Sequence, residues 1–442
     1  MLALSRALGG QLATLLASQG GGALSGGLRA AAALSGTRLF SAQPSPADLD
    51  RAADVLETFR ARDLVIERST VQQAPINLED LKFGTVFTDH MFHVEHEAGR
   101  GWGAPAVKPL GMLQLHPASQ VLHYGMCCFE GMKAYHGADG RMRLFRPDQN
   151  MARLRRSARR LQLADFDPEE LLGCLKQLLL VDRSWLPARE GFSIYIRPFA
   201  FASSGVLGVA KPGRTTLSIL LSPVGPYFPT GLKPISLFVD EHHRRAWPGG
   251  AGDCKVGGNY APTIHPQVQA AERYGTPQVL YTFRESHQHA DQGEFEECGA
   301  MNVFFYMQKR DGGRVLATPR LSGTILPGIT RDSILQLARA WGGCDVEERP
   351  VTIAEVRQAH EEGRLLEVFG SGTACIVQPV GALVRSNGEV FRPQLGTEAA
   401  LTGSGGSGSS SGGEGSLSAR LQRTLLDIQY GRMEHPWGVV VE

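Results

Sequence analysis

Two spacings of apolar residues alternate along this 442-residue chain. Met151, Leu154, Ala158 and Leu161 recur every three or four positions, which predicts an amphipathic helix, and residues 168–181 read as a second one. Elsewhere the spacing shortens to two. Ser193-Ile194-Tyr195-Ile196-Arg197-Pro198 predicts a strand with Tyr195 and Arg197 on one face, and residues 215–221 predict a continuous buried strand. Residues 83–94 also read as a strand, residues 119–135 as a strand leading into a helix, and 142–145 as a short strand that ends at Arg146. Further on, strands are expected at 235–239, 278–283, 301–308, near 346 and at 365–369. Helices are expected at 261–274, 331–341 and 353–362, with a closing one at 416–429. This mixture predicts an α+β fold and gives no doubly wound sheet.

Interruptions in the pattern divide the chain. Pro223-Val224-Gly225-Pro226-Tyr227-Phe228-Pro229-Thr230-Gly231 is dense in breakers and reads as a linker. It separates an N-terminal domain, 41–223, from a C-terminal domain, 235–442, with 224–234 as the join. Residues 402–415 are almost entirely Gly and Ser, a low-complexity insert of which no function is expected. The first 40 residues carry Arg6, Arg29 and Arg38, no acidic residue, and Leu4, Leu8, Leu12 and Leu15 at helical spacing. That is the profile of a mitochondrial transit peptide, with a cleavage point after Phe40, and it places the protein in the matrix. Composition adds little: 42% hydrophobic, 20% charged, net charge +1. No basic stripe points to nucleic acid, and no run of eighteen apolar residues points to a membrane span. Seven scattered cysteines form no Cys-x-x-Cys pair and no metal-ligand cluster, so free thiols and no metal are expected.

The chemistry concentrates in Gly252-Asp253-Cys254-Lys255-Val256-Gly257-Gly258-Asn259-Tyr260. Glycines beside a lysine let backbone approach whatever the amine touches, and a desolvated amine has a lone pair free for a Schiff base with an aldehyde. A surface Lys-Gly-Gly turn fits the same nine residues. A P-loop does not, because there the lysine follows the glycines. Five other motifs accompany it: Phe129-Glu130-Gly131-Met132-Lys133, Arg143-Leu144-Phe145-Arg146-Pro147, Glu297-Cys298-Gly299-Ala300-Met301-Asn302, Leu326-Pro327-Gly328-Ile329-Thr330-Arg331 and Gly370-Ser371-Gly372-Thr373-Ala374. Together, from about Phe83 to the C-terminus, they resemble the branched-chain amino acid aminotransferases, the mitochondrial form in particular, of the pyridoxal-phosphate fold type IV group.

The resemblance implies a two-domain, D-amino acid aminotransferase-like fold with pyridoxal 5'-phosphate in the interdomain cleft. It implies a homodimer that moves the amino group of leucine, isoleucine or valine to 2-oxoglutarate through a Lys255 Schiff base in a ping-pong cycle. Lys255 is then catalytic, Glu297 pairs with the pyridine nitrogen and Tyr260 with the ring oxygen. Arg146, the Ile329 and Thr330 amides, and Thr373 take the phosphate. Phe83, Tyr124, Phe129, Tyr195 and Tyr227 line the side-chain pocket, joined by Ala300 where the family usually has Thr, and by Val209 from the partner subunit. Arg197 meets the distal carboxylate of glutamate, and the Thr373 and Ala374 amides hold the α-carboxylate. The remaining arginines of the 151–161 helix, Arg153, Arg155, Arg156, Arg159 and Arg160, read as a solvated face. The family's Cys-x-x-Cys pair is reduced to Cys375-Ile376-Val377-Gln378, so no internal redox switch is expected. A D-amino acid transaminase, an aminodeoxychorismate lyase of the same fold and a silent scaffold are the alternatives.

Overall fold

The computed structural model describes residues 57–70, 77–226, 233–285, 287, 289–394 and 416–442. The expected transit peptide, Tyr227 and the Gly/Ser insert lie outside these residues.

The strands gather into two sheets. In the first half they are β1 (Val65–Ile66), β2 (His90–Glu97), β3 (Gly101–Trp102), β4 (Ala106–Pro109), β5 (Cys127–Phe129), β6 (Met132–His136), β7 (Met142–Phe145), β8 (Ser193–Ala202) and β9 (Arg214–Val224). Helices α1 (Gln120–Tyr124), α2 (Pro147–Arg160) and α3 (Pro168–Val181) accompany them. The second half contributes β10 (Ile235–Asp240), β11 (Gln278–Phe283), β12 (Glu294–Cys298), β13 (Met301–Gln308), β14 (Arg314–Thr318), β15 (Asp345–Glu348), β16 (Leu365–Gly372), β17 (Ile376–Arg385) and β18 (Val390–Phe391). Its helices are α4 (Ile264–Tyr274), α5 (Ile329–Trp341), α6 (Ile353–Glu361) and α7 (Leu417–Gln429), before a last strand, β19 (Gly438–Val440).

The first sheet runs β1-β4-β2-β9-β8-β6-β7-β19, with β3 on β2 and β5 on β8. The second runs β12-β11-β10-β17-β16-β13-β14-β15 and mixes parallel pairs, such as β10 with β11 and β17, with antiparallel ones. The chain's end therefore returns to the first sheet, where Val439 pairs with Leu144 of β7. Two expectations shift. Residues 83–89 form turn and loop, the strand beginning only at His90, because Gly84 adopts a φ of 68° that breaks the extended run. Residues 119–135 run as a short helix and then two strands, since Gly125 closes α1 in the left-handed conformation.

Local rules explain the helices that flank the site. Asp167 accepts from the Glu169 amide and Pro168 opens α3, whose Leu171, Cys174, Leu175 and Leu178 face the core. Pro147 opens α2, and its buried stripe holds Asn150, Arg153 and Ser157 as well as Met151, Leu154 and Ala158. Arg153 is thus no part of a solvated face. Glu367 in β16 accepts from the Leu417 and Ser418 amides at 2.6 and 3.0 Å, fixing the start of α7. One apolar cluster spans both sheets, with Tyr135 and Phe145 meeting Phe304, Phe369, Ile334 and Leu425. Among the described residues no helix is long and apolar enough to cross a membrane.

Candidate active site

A cavity opens where β12, α5 and the ends of β16 face the lysine loop. Its walls include Lys255, Tyr260, Glu297, Arg153, Arg245, the Gly299–Asn302 turn, Gly328 to Thr330, and Ser371 to Thr373. The Gly257–Gly258–Asn259 turn folds back under Lys255, and Asn259 ties it down by donating to the Ala251 and Cys254 carbonyls at 2.7 and 2.9 Å. The Lys255 backbone amide donates to Ser157 Oγ of α2 at 2.8 Å. Its Nζ then stands 3.1 Å from the Tyr260 hydroxyl and 4.9 Å from the centre of the Phe129 ring. The surface-turn alternative for this stretch is therefore excluded: the amine points at a wall of aromatic rings.

Glu297 is 3% exposed. Its Oε1 accepts from Arg245 at 2.6 Å and from the Leu326 amide at 3.2 Å, and Asn302 reaches Oε2 at 3.4 Å. Burial raises its carboxyl to about 7, against the pull of the Arg245 guanidinium. Gly328 caps α5 without a side chain, leaving the first amides of that helix open towards the cavity. Any Cβ at Gly328 would run into the Asn302 side chain, so a glycine is required there.

Arg153, unforeseen in the sequence, forms the cavity wall beside that helix start. Two bonds to the fully buried Glu130, at 2.6 and 3.0 Å, and one to the Pro327 carbonyl at 2.8 Å fix its guanidinium. Burial works to raise the Glu130 carboxyl, but Arg153 outweighs it and leaves it below the usual range. Arg146, the expected phosphate arginine, lies outside this cavity. It pairs with Asp332 at 2.6 Å, donates to Ser333 at 2.8 Å and stacks over Trp437. Its place just before α2 turns it away, whereas Arg153 lies about two turns further on, in the inward stripe.

The remaining expected residues divide. Phe129 packs against Tyr260 at 4.9 Å, Arg197 lies over Phe129 and Tyr195, and Phe83 meets Tyr195 edge-on at 4.8 Å. These aromatics continue the wall from Lys255 outward. Thr373 and Ala300 line the cavity, and the Thr373 hydroxyl donates its proton to the Gly131 carbonyl at 3.1 Å. The Ala374 carbonyl is held by Lys133. Tyr124 is half-exposed and its hydroxyl donates to the Leu207 carbonyl, while Val209 is 81% exposed; neither touches the cavity. Arg245, Asn302 and Ser371 were also missed, and no periodicity or motif singles out Arg245.

Residues 127–382 match the family described as amino-transferase class IV. The chain belongs to that family. It is 44% identical over 387 residues to a cytosolic branched-chain-amino-acid aminotransferase of Mus musculus, covering 87% of this chain and 94% of that protein. It is 45% identical over 385 residues to a mitochondrial branched-chain-amino-acid aminotransferase of Rattus norvegicus, covering 87% and 92%. A T.th. branched-chain amino acid aminotransferase, solved with pyridoxamine 5'-phosphate, superposes with a TM-score of 0.60 at 26% identity, over 81% of this chain and 100% of the other. The class IV match covers both the lysine loop and the Glu297 strand, and the α+β expectation agrees with the fold seen here. Relatives named mitochondrial and cytosolic are about equally similar.

Proposed function

We propose that this class IV aminotransferase is a branched-chain L-amino acid transaminase that passes the amino group of leucine, isoleucine or valine to 2-oxoglutarate. The observation that carries the reading is the Lys255 amine, 3.1 Å from the Tyr260 hydroxyl, inside a cavity that also holds a buried Glu297.

The donor set fits pyridoxal phosphate. The Arg153 guanidinium and the uncapped α5 amides suit a phosphate, and Glu297, backed by Arg245, suits a protonated ring nitrogen. Ser371 supports this fit, since its Oγ is buried in the cavity wall without a protein partner. When bound, the cofactor supplies an electron-withdrawing ring that makes the substrate's Cα–H acidic. Lys255 Nζ then takes the Cα proton and returns it on the other side of the exchange, with Tyr260 holding the amine in place. Arg245 offsets part of the cost of ionising the buried Glu297, and a protonated ring nitrogen would offset more of it. Phe83, Phe129 and Tyr195 exclude water and receive the branched side chain. Arg197, whose Nε is buried without a partner, meets the distal carboxylate when glutamate occupies the same pocket. The Thr373 and Ala374 amides receive the α-carboxylate in both half-reactions.

The two sheets serve as two lobes around this cavity; the first keeps Pro223 and Val224, expected in the linker, as the end of β9. The half-exposed Tyr124 and the exposed Leu207 and Val209 support a homodimer in which a second copy covers this apolar rim. The arginine-bearing, acid-free first 40 residues support import into the mitochondrial matrix.

A panel of L- and D-amino acids, each with and without 2-oxoglutarate, tests the reading. Expected are acceptor-dependent turnover confined to branched L-amino acids and a borohydride-fixed cofactor on the peptide bearing Lys255. Turnover without an acceptor, or the label on another peptide, overturns it.

A further inference from the structure

Lys133 carries a buried ammonium for which the transamination chemistry above has no use. It lies on β6 in register with Tyr195 of β8. Residues opposed across an antiparallel ladder share a face, so Lys133 stands on the face of the first sheet that carries Tyr195. The residue is 8% exposed, and its Nζ donates to the Ala374 carbonyl at 2.8 Å. Among the described residues no carboxylate pairs with it. An ammonium taken out of water against a single carbonyl is poorly compensated, and burial pushes it down to about 8. A methionine would fill the same volume without that cost.

The carbonyl it holds belongs to a strained hairpin. Strands β16 and β17 join through Thr373, Ala374 and Cys375, with Gly372 opposite Ile376. Ile376 has a φ of 63°, a left-handed conformation that a β-branched residue adopts only when its surroundings impose it. Two bonds tie the neighbouring turn to β6 and the residue before it: Lys133 to the Ala374 carbonyl, and Thr373 to the Gly131 carbonyl. Among the described residues the Thr373 and Ala374 amides donate to no protein acceptor. Because a peptide unit is planar, fixing the Ala374 carbonyl fixes the whole Ala374–Cys375 plane.

We propose that Lys133 is the positioning residue of the substrate-carboxylate subsite: it latches the Thr373–Cys375 turn and places an otherwise uncompensated positive charge directly behind it. This rests on the transaminase reading, which assigns the α-carboxylate to those amides. A carboxylate arriving on the turn is the missing counter-ion of Lys133. The charge strengthens binding of any ligand with a carboxylate there and is indifferent to one without.

Two leucine-shaped probes separate these cases in the cofactor-loaded protein: 4-methylvalerate, an acid without the amine, and 3-methylbutylamine, an amine without the acid. Lys133→Gln keeps a donor for the Ala374 carbonyl and removes the charge; Lys133→Arg keeps the charge. The Gln variant is expected to raise the Kd for 4-methylvalerate, and the KM for leucine, by about tenfold to a hundredfold, the range of a charge-assisted contact. The Kd for 3-methylbutylamine should stay within about threefold and the borohydride label should remain on Lys255. The Arg variant should recover most of the acid affinity. If the Gln variant binds 4-methylvalerate as the parent does, or weakens both probes equally, the proposal fails even though the parent transaminates. A parent without transaminase activity overturns the functional reading, and the 4-methylvalerate comparison still decides the subsite. Should the Gln variant not fold, the Arg variant decides: 4-methylvalerate affinity close to the parent's supports the charge behind the turn, and loss of acid binding overturns it.

Discussion

Arg153 and Glu130 face each other as a two-point ion pair inside the protein, Nε to Oε1 at 2.6 Å and Nη2 to Oε2 at 3.0 Å. The pair turns a flexible side chain into a fixed fork at the cavity wall, with Asn150 donating to the same carboxylate at 2.9 Å. Removing one member strands the other. Glu130→Ala is expected to lower unfolding free energy by about 3–5 kcal/mol, the cost of an uncompensated buried charge, as measured by denaturant titration.

The two arginines before and within α2 give opposite predictions for cofactor retention. Arg153→Ala should weaken pyridoxal phosphate by at least about a hundredfold in a binding titration, since a charge-assisted bidentate contact is lost. Arg146→Ala, whose guanidinium is satisfied by Asp332 and Ser333 outside the cavity, should change that affinity by less than about threefold. Equal losses would mean that the phosphate lies in the adjoining cavity that Arg146 and Arg153 both line.

What could be read in advance follows from how local the signal is. The lysine loop was legible because its glycines, Asn259 and Tyr260 lie within five residues of Lys255 and fold onto it. Strands such as 278–283 and 301–308 were legible because their apolar runs are continuous and buried. Arg153 was hidden by its neighbours. Five arginines in eight residues read as a solvated face, and only the partners contributed by Glu130 and Pro327, 23 and 174 residues away, turn one of them inward. Asn150 and Ser157, polar residues in the same stripe, were the available clue. Arg245 had none, because its role depends on Glu297 in a strand formed later in the chain.

Glu297 makes cofactor affinity depend on pH. Its carboxyl is raised to about 7, chiefly by burial. Raised above the unfolded value, it favours the folded protein most at low pH, and that contribution fades as pH climbs through about 7. A ligand carrying a protonated ring nitrogen binds the ionised form instead, so affinity for pyridoxal phosphate should rise over the same interval. The expected gain is at most about tenfold per pH unit, read as Kd between about pH 6 and pH 8. Glu297→Gln should flatten this component of the profile and bind more weakly at the upper end. A Gln variant with the parent's full slope assigns the titration to another group.

Tyr260 positions the lysine by a single hydroxyl. Tyr260→Phe keeps the ring that packs on Phe129 and deletes only the bond to Nζ. Turnover should fall by about tenfold to a hundredfold, the worth of a hydrogen bond to a charged group, with the borohydride label still on Lys255. A variant as fast as its parent would place the control of the amine elsewhere.

Oxidation should leave the enzyme untouched. Cys375 lies beneath the carboxylate turn, its Sγ 3.4 Å from Met301 Sδ, and burial pushes its thiol up to about 12. The thiolate is the species that peroxide attacks, so at neutral pH almost none is present. Position 378, three residues on, holds a glutamine whose amide is engaged by the Lys233 and Pro379 carbonyls at 2.8 and 3.0 Å. Position 378 therefore offers no thiol to trap an oxidised Cys375. Incubation with mild peroxide should therefore leave leucine turnover within about twofold of the untreated protein. Gln378→Cys introduces a thiol but leaves Cys375 buried and protonated, so it should not by itself create peroxide sensitivity. Sensitivity of the parent that is reversed by dithiothreitol would show that another thiol, such as the half-buried Cys127 beside Gly257 of the lysine loop, governs the site.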